Sequence, residues 1–269
     1  MSIDLRQTCE QTVAAVRDAG ALIREHWDKP RTIRLKGRID LVTETDVAVE
    51  RALRVSLADI LPQATFLAEE KTGENALSDC AWVVDPLDGT TNFAHGLPFV
   101  AVSVGLWLGR GVGLGVIYNP ILDELYAAVK GQGAFCNGTR LRVTTSETLD
   151  QCVVATGFPY TIRENIRPVM AWLEAALTNC RAVRRFGAAA LDLAYLAAGR
   201  FDGFYEAFLH PWDAAAGWLL VEEAGGRVTK YDANKPYALG STTLLASNGR
   251  VHEALSSMLR ETGYVFENE

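Results

Sequence analysis

Apolar residues recur at helical spacing over residues 4–27, at Leu5, Cys9, Val13, Val16, Ile23 and Trp27, which predicts a long amphipathic helix ended by Pro30. A second helix is predicted over about 46–61, with Thr43 as N-cap, Asp46 three residues on in a variant of the capping box, and Pro62 beyond its end. Short apolar runs separated by Gly and Asn-Pro turns follow at 65–68, 81–84, 100–108, 113–118 and 125–129 and read as strands. They predict helices on a largely antiparallel sheet. Beyond about residue 146 the pattern alternates: strand 152–156, helix 166–178, strand 182–186, helix 191–198, strand 203–208, helix 212–224. The fold class is therefore α/β, with an α+β half over 1–145 and an α/β half over 146–269. No Pro-, Gly- or Ser-rich linker divides them, so they are expected to pack as one unit.

Composition narrows the function classes. Of 269 residues, 49% are hydrophobic and 22% charged, which suits a folded globular chain rather than a disordered one. The five cysteines form no Cys-x-x-Cys pair and are odd in number, which argues against a disulfide framework or a zinc site. Four histidines without metal-ligand spacing imply that any metal is held by oxygen. No basic-then-apolar leader and no apolar run near the roughly 20 residues of a membrane span are present, so a cytoplasmic protein without membrane partners is expected. A net charge of -7 gives no general reason to bind nucleic acid, although Arg181, Arg184 and Arg185 form a small basic cluster that a solvated surface also explains.

The chemistry concentrates in Asp85-Pro86-Leu87-Asp88-Gly89-Thr90-Thr91-Asn92-Phe93, directly after the run Ala81-Trp82-Val83-Val84. Two carboxylates three residues apart offer hard oxygen donors for Mg²⁺, and Pro86 turns the chain so that both reach one side. Gly89 permits close backbone approach, and Thr90 and Thr91 open a short helix whose N–H groups suit a phosphate. Taken alone the motif is equally a tight Asp-Gly turn. Two more acidic stations join it: Glu69-Glu70 after a short apolar run, and Asp213 in Pro211-Trp212-Asp213-Ala214-Ala215-Ala216-Gly217, where helix capping is the competing explanation.

In this order and at these separations, the set resembles the inositol monophosphatases of the Mg²⁺-dependent, lithium-sensitive phosphatase superfamily. The likeness extends to Lys36, Asp40-Leu41-Val42-Thr43 and Thr45-Asp46, to the turn Gly131-x-Gly133-Ala134-Phe135-Cys136-Asn137-Gly138, and to Arg184-Arg185-x-Gly187-x-Ala189-Ala190. It implies a layered α-β-α-β-α sandwich with the active site between the halves, a homodimer, and two or three Mg²⁺ ions. By the same resemblance Glu69, Asp85 and the Leu87 carbonyl hold the ion that supplies the attacking water. Asp85, Asp88 and Asp213 hold one that steadies the leaving oxygen, and Glu70 with Asp46 nearby completes a weaker third site. Thr90, bonded to Asp46, orients the water, while the Gly89 and Thr90 amides hold phosphate oxygens. Asp88 and Asp213 thus border the substrate as well.

Substrate recognition falls to Glu206, seven residues before Asp213, as a carboxylate acceptor for ring hydroxyls, with the backbone of Gly187, Ala188 and Ala189 nearby. A solvated strand end is the competing explanation for Glu206. The chain departs from common family patterns at Ala68, Lys71 and Ala188, and Ala188 removes a possible hydroxyl contact. His95, His210 and Cys136 receive no covalent role. The expected reaction is hydrolysis of a small-molecule phosphate monoester, inositol monophosphate first. The alternatives are fructose-1,6-bisphosphatase, histidinol-phosphatase, a phosphatase for 3'-phosphoadenosine 5'-phosphate, and a regulatory protein reusing the fold.

Overall fold

The structure, a computed structural model, describes residues 3–29, 33–35, 41–70 and 77–264. Pro30, Lys36, Asp40 and Lys71, named above, lie outside them. Helix α1 (Leu5–His26) begins where Asp4 accepts the Arg6 and Gln7 amides. Two short antiparallel strands, β1 (Ile33–Leu35) and β2 (Leu41–Thr43), lead into α2 (Glu44–Ile60). The α2 capping box is formed as its sequence predicts, because Thr43 takes the N-cap and Asp46 reaches back to the Thr43 amide at 2.8 Å.

Seven strands make the first sheet: β3 (Thr65–Ala68), β4 (Ala81–Asp88), β5 (Ala101–Trp107), β6 (Val112–Asn119), β7 (Glu124–Val129), β8 (Gly133–Cys136) and β9 (Thr139–Arg140), in that spatial order. Only β3 and β4 run parallel. The segment expected as a turn at 131–138 is thus strand β8 with Asn137-Gly138 as its hairpin turn, since Phe135 pairs with Arg140 and Cys136 with Thr139. Strand β4 is also longer than predicted. It continues through Pro86 to Asp88 because a bulge between Asp85 and Asp88 absorbs the residue that cannot donate to the ladder. Helix α3 (Thr90–His95) follows directly.

The second sheet contains β10 (Val153–Thr156), β11 (Ala182–Arg184), β12 (Gly203–Ala207), β13 (Arg227–Thr229) and β14 (Thr243–Ser247), ordered β11-β10-β12-β14-β13. Its first three strands are parallel, connected through α4 (Ile166–Asn179) and α5 (Ala189–Ala197). After α6 (Pro211–Glu223), β13 and β14 add an antiparallel edge, and α7 (His252–Arg260) follows.

Side-chain alternation assembles the layers. Trp82 and Val84 face α1 and α2 with Val16, Ile23, Leu53 and Leu57, whereas Val83 faces α5 and α6 with Leu193, Ala215 and Leu219. Phe204 and Ala246 of the second sheet close that middle layer, and Tyr205 and Leu245 point the opposite way to Trp172 of α4 and Leu255 of α7. The order is α1/α2, sheet, α5/α6, sheet, α4/α7, the expected α-β-α-β-α sandwich. Each large apolar side chain so buried stabilises the fold by about 1.5–3 kcal/mol before its ordering entropy is subtracted.

Helix α6 lies unusually close to the first sheet. A Cβ on Gly115 would sit 2.8 Å from the Ala216 carbonyl oxygen and 2.9 Å from its Cα, and one on Gly105 would sit 3.0 Å from the Ala215 Cβ. Glycine on the sheet and alanine on the helix thereby set how near Asp213, at the start of α6, comes to β4. Gly115→Ala is predicted to destabilise the protein by about 1–3 kcal/mol, because rigid backbone must move to admit the methyl. Urea denaturation checks this, and an unchanged midpoint would refute the tight contact.

At the far side, His252 is fully buried between Thr229 Oγ1 and Ser247 Oγ, each 2.8 Å from one ring nitrogen. One nitrogen donates and the other accepts, an arrangement that suits the neutral ring. Burial, then nearby Arg227, lowers its pKa to about 4 from the ordinary 6.5. The unfolded chain therefore binds this proton at a higher pH than the folded one, and the stability it confers is full above 6.5 and lost as pH falls towards 4. His252→Gln should remove a pH dependence worth about 3 kcal/mol across that window. Denaturation of both proteins at several pH values measures it, and parallel pH profiles would count against the assignment.

Candidate active site

The parallel pairing of β3 with β4 brings the first acids together. Ala68 is in register with Val84, so Glu69 and Asp85 are the next residues of adjacent strands, leaving the sheet at the same end. Asp85 Oδ1 accepts the Leu87 amide at 3.0 Å, which folds the bulge and carries Asp88 to the same mouth. Gly89 then adopts φ 86°, a conformation that only glycine takes without strain, and a Cβ there would lie 2.8 Å from the Phe99 carbonyl oxygen.

Thr90 is buried, and its Oγ1 lies 2.9 Å from Asp46 Oδ1 and 3.1 Å from the Leu87 carbonyl oxygen. Asp46 is therefore both a cap and a site residue: its other oxygen stays with Thr43. Asp213 has the same double use. Its Oδ2 accepts the His210 amide at 2.7 Å at the start of α6, while the tight glycine contacts hold that helix over β5 and β6. Ala188, Ala189 and Ala190 open α5, and the Ala190 amide donates to Asp88 Oδ2 at 2.7 Å across a separation of 102 residues.

Electrostatics show how closely the acids gather. Burial, then Glu69, Asp88 and Asp213, raise Asp85 well above the ordinary carboxylate range. Burial raises Asp88 to about 7 with help from Glu69, against the opposing hydrogen bond of Ala190. Asp213 is raised well above its usual value by burial, then by Asp88 and Glu69. Among the described residues these side chains do not form a finished coordination cluster. Their donor set nevertheless fits a hard divalent cation: carboxylates and a carbonyl, each mutually destabilised in the absence of positive charge, with Asp85 and Asp213 each anchored through one oxygen by a backbone amide. Glu70 follows Glu69 beyond the end of β3, and its amide donates to Glu50 Oε2 at 3.1 Å.

A cleft of about 340 Å³ opens beside the acids, at the lower end of small-molecule pockets. Asp88, Gly89, Thr90, Gly187, Ala188, Ala189, Glu206 and Asp213 all line it, so every substrate-side residue named from the sequence reaches one cavity. Glu206 is half-buried on β12, not a solvated strand end, and its carboxylate lies so close to Gly157 that a Cβ there would be 2.1 Å from either oxygen. Burial and Asp88 raise its pKa to about 8, and Arg185 opposes them.

Sequence reasoning missed several contributors. Arg185, assigned to a surface cluster, lines the cleft with its guanidinium 5.2 Å from the Phe158 ring centroid, and Gly157, Phe158, Pro159, Tyr160, Ile162, Phe208 and Leu209 line it too. Glu50 stands four residues after Asp46 on the same helix and holds both the Glu70 amide and Arg54, a spacing that was visible in the sequence. Asn92 donates its side-chain amide to the carbonyls of Phe99 and Phe186, both at 2.8 Å, and no local pattern announces so distant a partner. Asp192 of α5 is fully buried with neither oxygen hydrogen-bonded, and burial, then Glu206 and Asp88, hold it well above the ordinary range.

Comparison with known proteins converges on the same family. Nus factor SuhB of Escherichia coli K12 is 41% identical over 252 residues, covering 93% of this chain and 94% of that protein. An inositol-1-monophosphatase of Synechocystis is 41% identical over 270 residues, covering 98% and 92%. Among solved structures, extragenic suppressor protein SuhB from Bartonella henselae superposes with a TM-score of 0.87 at 40% identity, covering 95% of this chain and 99% of that one. Inositol monophosphatase from Anabaena gives 0.87 at 36%, covering 96% and 97%. The model of the inositol monophosphatase family matches residues 4–264, and with the carboxylates gathered at one cleft the chain belongs to that family of phosphatases.

Proposed function

We propose that this phosphatase hydrolyses a polyol monophosphate, inositol monophosphate first, with Mg²⁺ held by Glu69, Asp85, the Leu87 carbonyl, Asp88 and Asp213, and more weakly by Glu70. The observation that carries the reading is the convergence of strand ends and helix starts that brings Asp85, Asp88 and Asp213 together, where burial and neighbouring acid charge hold their carboxyls above the ordinary range, a cost that a divalent cation reverses. Bound Mg²⁺ supplies neutralisation of the phosphate dianion, a nucleophilic water at neutral pH and stabilisation of the leaving alkoxide. The chain's own groups do the rest. Thr90 Oγ1 directs its proton to Asp46, which leaves an oxygen lone pair to orient the attacking water. Amides of Gly89 and Thr90 receive phosphate oxygens, and the narrow bulge keeps them in place. The water oxygen bonds to phosphorus as the ester P–O bond breaks, one water proton passes to the leaving oxygen so that the alcohol departs neutral, and the other stays with the phosphate formed.

Glu206 is assigned to the alcohol, as an acceptor for ring hydroxyls. Neutralising Asp88 with a cation removes one of the two causes that raise Glu206 and favours its ionised, accepting form. Homodimer assembly is carried over from the resemblance alone, and a cytoplasmic location remains the expectation read from the sequence; among the described residues no helix is long and apolar enough to cross a membrane. A regulatory or nucleic-acid-associated role is the second reading. It draws on similarity to proteins named Nus factor and on the exposed Arg181 and Arg184 beside edge strand β11, while the net charge of -7 weighs against it. Phosphate release from a panel of inositol, fructose, histidinol and nucleotide phosphates separates the readings.

Activity is predicted to require Mg²⁺ and to be inhibited by lithium, and full turnover in excess chelator would contradict the metal assignment. Asp88→Asn should abolish most turnover while the far-ultraviolet circular dichroism stays native, because it removes charge at the mouth of the sheet. Near wild-type kcat would refute the role.

Glu206→Gln should lower kcat/KM for inositol monophosphate by the equivalent of about 1–3 kcal/mol, the scale of hydrogen bonds to a charged group, and scarcely alter hydrolysis of an aryl phosphate. Equal losses on both substrates would instead tie Glu206 to the metal site or the fold.

A further inference from the structure

Two hydrogen bonds of opposite direction join the same pair of segments. From the β4–α3 segment, Asn92 donates to the Phe186 carbonyl at 2.8 Å, with the Gly187 carbonyl at 3.4 Å. From the β11–α5 connection, the Ala190 amide donates back to Asp88 at 2.7 Å. Donor and acceptor lie four residues apart on each side, 88 and 92 against 186 and 190, so the contacts form the two ends of one latch. Between them Gly89 and Ala188 meet so closely that a Cβ on Gly89 would lie 3.3 Å from that of Ala188.

The second proton of the Asn92 amide goes to the Phe99 carbonyl at 2.8 Å, and the Phe99 and Phe186 rings stack at 4.6 Å. The Asn92 carbonyl also accepts the Leu97 amide at 2.9 Å, which fixes the end of α3. The Ala189 and Leu191 amides also bond the Asp88 carboxyl, so the α5 N-terminus as a whole orients it, and the Asn92 contact four residues away holds that N-terminus in place. Asn92 is buried and outside the cleft lining, so it acts through others and not on substrate.

We propose that Asn92 is a positioning residue: by tying the α5 N-terminus to the β4–α3 segment it sets the orientation of the Asp88 carboxylate and hence the site's affinity for Mg²⁺. This rests on Asp88 being a ligand of the reaction centre. In the full-length protein, Asn92→Ala should speed amide exchange at Ala190 and Leu191 by about tenfold or more while α1 amides keep their protection. Calorimetric titration with Mg²⁺ in the absence of substrate should show about tenfold weaker binding, the scale for losing a group that orients a ligand. The Mg²⁺ concentration for half-maximal kcat should rise in parallel. Unchanged Ala190 exchange and unchanged Mg²⁺ affinity in the folded variant would overturn the proposal.

If Asn92→Ala fails to fold, Phe186→Leu keeps the accepting carbonyl and removes only the ring stack. It should give the same two shifts at smaller amplitude, and neither shift would again overturn the idea. A wrong choice of alcohol substrate would leave both readouts responsive, whereas an Asp88 that is no ligand would show as faster exchange with unaltered Mg²⁺ binding.

Discussion

Gathering Glu69, Asp85, Asp88 and Asp213 at one buried mouth opposes folding, and much of the architecture serves to hold them there. Carboxylates removed from water repel one another and rise towards protonation, as Asp85, Asp88 and Asp213 all do. A lone loop could not keep such a group together. Here each acid is tied to rigid backbone: Asp85 to its own bulge, Asp88 to the α5 N-terminus, Asp213 to the first turn of α6, and Glu69 to the end of a parallel strand pair. Divalent charge would relieve the repulsion, so on the proposed reading the arrangement that strains the protein also prepares it to take a metal.

The middle helical layer translates packing into chemistry. Helices α5 and α6 lie between the two sheets, and both deliver their N-termini to the acids. The distance of α6 from the first sheet is set by bare glycine backbone at 105 and 115, against alanines of that helix. Gly105, Gly115, Ala215 and Ala216 therefore shape the site although none of the four lines the cleft. Each N-terminus also offers aligned amides, which partly offset the buried negative charge nearby.

Much of this was legible in the sequence because the information was local. Helices α1 and α2, the Thr43–Asp46 box, strands β3 to β7 and the β10–α4–β11–α5–β12–α6 alternation all follow from periodicity and caps within a few residues. The gathered acids were legible through the Asp85–Thr90 and Trp212–Gly217 motifs. What escaped was set by distant partners. Strand β8 exists because β7 and β9 pair with it, and the antiparallel edge of β13 and β14 continues a parallel sheet in a way no run of apolar residues specifies. Arg185 looked like surface charge until Phe158 and Glu206 were found beside it. Asn92 gave no sign at all, since its acceptors at 99 and 186 are backbone atoms.

The cleft is divided between rigid and irregular chain. Its acidic side comes from strand ends and helix starts, whereas the rest of its wall includes Gly157, Phe158, Pro159, Tyr160, Ile162, Phe208 and Leu209, chain outside helices and strands that holds none of the clustered acids. On the proposed reading, hydrolysis belongs to the strand ends and helix starts, and the irregular stretch shares the choice of alcohol with Glu206 of β12. The irregular wall can exchange bulk and polarity to fit another alcohol while the ligand geometry stays fixed, so one hydrolytic centre can serve a succession of phosphorylated compounds by changes confined to a handful of positions.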